Sequence, residues 1–509
     1  MGAGPTYRVA ALLFPRLVGA VYLMAFASLG TQVAGLVGAH GILPAAEYLR
    51  WVHDQAGTAG YYLVPTLAWL NDGDASLKLL CSAGVGLALV VMAGVAEAPG
   101  LAALWLLYLS LVSVGQDFLS FQWDVLLLEV GFLAIFAAPA SAGVRQAPGF
   151  EPSPAIVWLL RLVLFRLMFG SGTVKLLSGD PTWRDLSALT YHYETQPLPT
   201  PAAWYIHQLP AAFHALSCAV MFAVELGASL LIFAGVRGRR GAVVAFIGLM
   251  LIIALTGNYT FFNVLAVVLC VWLIDDSAWP STLRAFATTA ECAPRAWPGW
   301  IVRPVAVVIV LLTIPAMVRL LPRPLAAVAA PPLAPLFAVE RALAPLNLVN
   351  HYGLFAVMTT ERPEITVEGS LDGVTWRPYG FKYKPGDPRR PPTFVAPHQP
   401  RLDWQMWFAA LSGYDGSPWF ARFEQRLIEG SPDVLALLAE NPFPDRPPRF
   451  VRARVAGYQF SDRATGWRTG AWWVVGEGRD FGPAIAREAA EVVGHSSRGI
   501  THPRPSSAW

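Results

Sequence analysis

The chain has 509 residues, more than one compact core holds at roughly 100–200 residues per domain. Charged residues make up 14% of it, against about 25% in soluble proteins, while hydrophobic residues make up 55% and mean hydropathy is +0.46. A water-soluble globule cannot hide that much apolar surface, so lipid must solvate part of the chain, and a net charge of +3 leaves no footprint for nucleic acid.

Charge divides the chain in two. Residues 1–321 carry 16 basic and 16 acidic side chains, about one residue in ten, whereas 322–509 carry 21 and 18, about one in five. The first part reads as a polytopic α-helical membrane bundle and the second as a smaller water-facing domain. Cys81, Cys218, Cys270 and Cys292 all precede that domain, so no disulfide framework holds it. Lysine occurs only at 78, 175, 382 and 384, and this arginine bias fits a GC-rich, bacterial genome.

A membrane-crossing helix needs about 20 mostly apolar residues. Nine segments qualify, several of them short: 9–31, 77–97, 100–116, 123–140, 155–177, 211–236, 241–257, 260–275 and 301–321. Basic residues concentrate on the cytoplasmic side of spans. Arg8, Arg145, Arg237, Arg239, Arg240, Arg284, Arg295 and Arg303 therefore place the N-terminus in the cytoplasm and the C-terminal domain outside. Two outer loops are long. Loop 32–76 carries Trp51, Tyr61, Tyr62 and Trp69, suited to an aromatic belt. Loop 178–210 is the most polar stretch of the membrane half. Its Pro197, Pro199 and Pro201 stiffen it, and its aromatic residues Trp183, Tyr191, Tyr193 and Trp204 predict a structured lid, covered by the segment at 350–353.

From 322 to 345, Pro and Ala predict a semi-rigid linker. Beyond it, 346–509 reads as a β-rich domain with inserted helices. A hairpin is expected around Asp372-Gly373, helical spacing over 401–440, and a second strand pair at 449–460 and 467–476.

Five ionisable residues fall well inside the expected spans: Arg16, Glu129, Arg161, Arg166 and Glu225. A charge there is costly, so each needs a partner facing protein. Arg166 and Glu225 sit near the middles of neighbouring antiparallel spans, which predicts an ion pair between them, structural in role. In loop 178–210, Asp180, Arg184, Asp185, His192, Glu194 and His207 gather polar chemistry. His192 with Glu194 is a conceivable acid–base couple, yet no spacing supports a metal site, and no cofactor is expected. Phe169-Gly-Ser-Gly-Thr lacks the glycines of a nucleophile elbow, and the sequon at Asn258-Tyr-Thr lies too near the bilayer for glycosylation. The basic stretch Lys382–Arg390 reads as a solvated turn or a contact for anionic headgroups.

Several long words carry a resemblance. Gly179-Asp-Pro-Thr-Trp-Arg-Asp-Leu, Tyr191-His-Tyr-Glu-Thr-Gln-Pro-Leu-Pro, Leu346-Asn-Leu-Val-Asn-His-Tyr-Gly-Leu-Phe and Leu402-Asp-Trp-Gln-Met-Trp-Phe-Ala-Ala-Leu are among them. With these the chain resembles the lipase maturation factor family over nearly its whole length. More remotely, its membrane half resembles the horizontally transferred transmembrane domain that includes vitamin K-dependent carboxylases. The resemblance implies an endoplasmic reticulum membrane protein, or an inner-membrane one if bacterial, that assists folding of secreted lipase clients without chemistry of its own. Its client or lid surface would draw on Trp183, Arg184, Asp185, His192, Glu194, Asn350 and His351, with Trp404 and Trp407 as aromatic anchors. The alternative is a membrane enzyme using Lys175, His192 or Glu194 on a lipid-like substrate at the outer interface.

Overall fold

The computed structural model describes residues 5–140, 149–288 and 296–487. Arg145, Cys292, Arg295 and the chain beyond 487 lie outside them. Among the described residues, seven helices are long and apolar enough to cross a membrane. They are α1 (Arg8–Gly30), α2 (Asp74–Met92), α3 (Glu97–Val114), α5 (Pro154–Leu177), α7 (Ala211–Phe233, with a π turn at Ala223–Ala228), α8 (Val236–Thr256) and α10 (Gly299–Val318). The other two expected spans are shorter helices. They are α4 (Gln122–Ala137), packed between α3 and α5, and α9 (Phe262–Leu273), packed on α8 and α1. The protein is an integral membrane protein. α6 (Ala188–Thr195) lies in the long loop between α5 and α7.

One end of the bundle is tied by polar contacts to the N-terminus. Asp276 accepts from Thr6, Arg8 and Val9, while Arg240 pairs with Asp275 at 2.9 Å. The C-terminal domain sits on the other end. Ser28 bonds Gln399, Asp124 bonds Arg401, and Asn258 bonds Thr393.

The expected linker is helical instead, with α11 (Arg323–Ala329) and α12 (Ala334–Leu343) joined through Pro331–Leu333. Its prolines fall in the first turns of short helices, where the missing N–H has no intrahelical partner to lose.

The domain's sheet is antiparallel, ordered β2-β1-β3-β4, with β1 Arg362–Ser370, β2 Trp376–Pro378, β3 Phe450–Phe460 and β4 Trp473–Val475; β5 (Arg479–Asp480) and β6 (Ile485–Ala486) also pair with β3. The expected hairpin forms because Asp372 Oδ1 accepts the amides of Val374 and Thr375, at 2.9 and 2.7 Å, and Gly373 takes φ +77°. The expected second pair forms as β3 with β4, but a helix, α15 (Arg463–Thr469), occupies part of the stretch read as strand. The inserted helices are α13 (Arg401–Ser412) and α14 (Pro418–Glu429). Ile365, Val367, Val451 and Ala453 share one apolar core with the bundle, so no water layer separates the two halves.

Candidate functional site

The strongest concentration of buried polar chemistry lies where loop 178–210 and the helix ends meet the C-terminal domain. The loop starts at Asp180. Its Oδ1 caps the next turn by accepting from Thr182 N at 2.8 Å, and its Oδ2 accepts the Met358 amide at 2.5 Å. Trp183, only 2% exposed, donates its indole N–H to Phe355 O at 3.0 Å and stacks beneath the Lys175 ammonium, 5.5 Å from the ring. Loop 178–210 thus packs against Phe355, Met358 and Arg362 rather than against 350–353.

α6 ends with carbonyls that have no helical partner. The C-terminal domain supplies the donors. Arg362 donates to Glu194 O at 2.7 Å, to Gln196 O, and to Pro197 O at 2.8 Å, and Trp407 Nε1 donates to Thr195 O at 2.7 Å. The cation also complements the negative end of the helix dipole. Arg362 is neutralised by Glu364 at 2.6 Å, which in turn binds Lys384 Nζ at 2.9 Å. Lys384 thus belongs to a buried cluster, not to a headgroup contact.

His192 and Glu194 do not face each other, because neighbours two apart on a helix point to different sides. The Tyr259 hydroxyl donates to Gln196 Oε1 at 2.9 Å, so His192 Nε2, 3.2 Å from that hydroxyl, must be the protonated nitrogen donating to it. Burial, with Lys175 nearby, pushes the imidazole down to about 4 and keeps it neutral. Glu194 instead accepts the Phe460 amide at 2.9 Å, with His207 Nε2 at 3.7 Å, and burial raises its acid. The acid–base couple is thus not assembled. Arg184 and Asp185 are exposed, and Asp185 caps only the local turn through Ser187.

The expected Arg166–Glu225 pair is replaced by two others. Arg166 pairs with Glu129, and Glu225 with Lys175 at 2.8 Å. Lys175 lies nine residues beyond Arg166, roughly 13 Å along a helix rising 1.5 Å per residue. The intervening loop is too long to set the depth of α7 against α5, so equal distance from segment midpoints was no guide. Glu129 is completed by the C-terminal strap: Oε2 accepts Asn350 N at 3.0 Å and Tyr352 OH at 2.5 Å. Asn350 is thus a bundle contact, while His351 turns to Arg319, whose Nη1 donates to its Nε2 at 2.8 Å.

Trp404 and Trp407 are 3% and 7% exposed and offer nothing to a client. Trp404 packs edge-on against Trp123 with centroids 4.7 Å apart. Beneath it, Arg401 pairs with Asp124 through both Nη atoms, at 2.9 and 2.8 Å, and Tyr108 OH donates to Asp124 at 2.5 Å. Asn258 spans the same seam. Its Nδ2 donates to Leu198 O at 3.1 Å and Thr393 O at 2.8 Å, and its Oδ1 accepts from Val395 N at 2.7 Å and Ala396 N at 3.1 Å. Arg362, Asp124, Arg401, Tyr259 and Tyr352 carry no local pattern that marks them in the sequence. Asn258 and Glu129 do stand out, as a sequon and as an intramembrane acid.

Both halves match family models. Residues 9–281 match the lipase maturation factor transmembrane domain and residues 348–483 the lipase maturation factor C-terminal domain. The chain belongs to the lipase maturation factor family. Lipase maturation factor 2 of Gallus gallus is 36% identical, over 93% of this chain and 81% of that protein. Lipase maturation factor 2 of Homo sapiens is 36% identical, over 93% and 82%, and lipase maturation factor 1 of Mus musculus 34%, over 92% and 86%. No solved structure matches the chain. In family terms, the seam joins the two matched domains, with Arg362, Asn350 and Arg401 from the second reaching Gln196, Glu129 and Asp124 of the first.

Proposed function

We propose that this protein is a membrane-embedded maturation factor that assists the folding or assembly of secreted lipase-like clients. The observation that supports it is the family match across both domains, with relatives named lipase maturation factors along most of their length. In this reading the transmembrane domain, 1–321, anchors the domain at 346–509 on the extracytoplasmic side. The membrane is that of the endoplasmic reticulum by family, or the inner membrane in a bacterium. Client contact then belongs to exposed surface of the C-terminal domain, since Trp404 and Trp407 are spent on the seam. Lys175, His192 and Glu194 are each committed to protein partners, which favours a scaffold over a reaction centre.

The test is co-expression with a secreted lipase, followed by specific activity per milligram of lipase and its dimer fraction. Both should fall when the gene is deleted and recover with the intact protein. A lipase equally active and equally dimeric without it rejects the reading. Reporter fusions at Arg239 and Gly430 should lie on opposite sides of the membrane, and a shared side rejects the topology.

A further inference from the structure

The α11–α12 hairpin carries sixteen consecutive residues, 324–339, without one charged or polar side chain. Little protein covers them. Val328 is 77% exposed, Leu325 58% and Val339 45%, and no side chain of α12 is buried. A helix apolar on every side belongs in a protein core or in lipid. The turn at the tip points the same way. Its two prolines make the turn, and none of its four residues, Ala330-Pro331-Pro332-Leu333, carries a polar side chain. In the sequence, charged residues flank this run only at 323, 340 and 341. There Glu340 pairs with Arg319 at the end of α10, Nη2 to Oε2 at 2.6 Å.

The base adjoins the lipid-facing surface. α12 packs beside α10, whose Val307, Val310 and Leu311 are uncovered along the span. The Tyr62 hydroxyl donates to Ala342 O, bringing the exposed Tyr61, Tyr62 and Leu63 of the outer loop alongside. Such tyrosines suit the boundary between headgroups and acyl chains.

We propose that residues 324–339 form a re-entrant helical hairpin immersed in the leaflet nearest the C-terminal domain, with the acyl chains of membrane lipid as its partner. At seven and ten residues its helices are too short to cross. Bonds from Ala330 N to Ala326 O at 2.9 Å and from Leu333 N to Ala330 O at 3.1 Å carry backbone pairing through the tip, which reduces the polar surface that immersion must hide. The hairpin leads directly into the strap that reaches Glu129, so its depth in lipid sets where that strap enters the bundle.

The test uses the full chain in lipid nanodiscs, with Cys81, Cys218, Cys270 and Cys292 replaced by alanine. Single nitroxide labels are attached after Leu325→Cys or Val328→Cys. Val310→Cys on α10 gives the lipid reference, and Asp445→Cys, on an exposed loop of the domain, the water reference. The expected result is that both hairpin labels are relaxed more by oxygen than by a water-soluble nickel chelate, matching position 310. Relaxation dominated by the chelate at either position, matching 445, overturns the proposal, whether water or a bound protein lies there. Labels on exposed side chains leave the fold intact, so each outcome decides.

Discussion

Single residues at the seam hold charge where water cannot compensate it, which makes their removal expensive. Arg362 is buried, balances Glu364 and satisfies three carbonyls at the end of α6. Arg362→Ala strands these acceptors and is expected to cost about 3–5 kcal/mol, read as a lower unfolding temperature in detergent. Arg362→Lys should recover only part, because an ammonium lacks the planar fork. An alanine variant as stable as the parent removes the argument.

Two buried titratable groups set opposite limbs of a pH profile. Burial pushes Glu424, whose Oε2 accepts from Tyr414 OH at 3.1 Å, up to about 8 from 4.5. Between those values the folded state holds the extra proton, so stability falls as pH rises through the window. His192 is held at about 4 instead of 6.5, so there the unfolded chain binds more protons and stability falls as pH drops. Glu424→Gln should flatten the alkaline limb and His192→Gln reduce the acid one. A wild-type unfolding temperature constant from pH 4 to 9 contradicts both.

At the scale of elements, local signals were legible and relative depths were not. The Asp372-Gly373 hairpin follows from one Asx turn, and apolar runs mark the helices wherever they are long. Nothing in a run of Leu and Val states how far α7 slides against α5, and the shift replaced one expected ion pair with two. The Lys175–Glu225 pair carries its own prediction. Glu225→Gln should lower folded yield, whereas Lys175→Met combined with Glu225→Leu should restore it, since an apolar pair of similar volume is often tolerated. Failure of the double variant to rescue, or rescue by a change at Arg166, assigns Glu225 elsewhere. That loop 178–210 is ordered and buries Trp183, Tyr193 and Trp204 was readable from its aromatics and prolines. Its cover was not, because Arg362 and Trp407 look like ordinary strand and helix residues until folding delivers them to the end of α6.

For the whole molecule, composition separated membrane from water but hid how tightly the two parts join. Asp124 with Arg401 and Glu129 with Tyr352 put charges of one part inside the other. The C-terminal domain produced alone, as residues 346–487, would expose Trp404, Trp407, Arg362 and Arg401 together. It is expected to be aggregation-prone and rapidly cleaved by protease, while the same domain in the intact protein resists. A soluble, protease-resistant isolated domain contradicts the shared core.

Asn258 also imposes an order of events in time. Its amide is completed by Leu198, made earlier, and by Thr393, Val395 and Ala396, made later. Thr393 follows it by 135 residues, so at roughly 5–20 residues per second the ribosome needs on the order of ten seconds to deliver the missing partners. During that interval the helices between which Asn258 lies are already synthesised while its side chain still lacks the three partners supplied by Thr393, Val395 and Ala396. The newborn bundle must wait, open at that corner, for the last third of its own chain to close it.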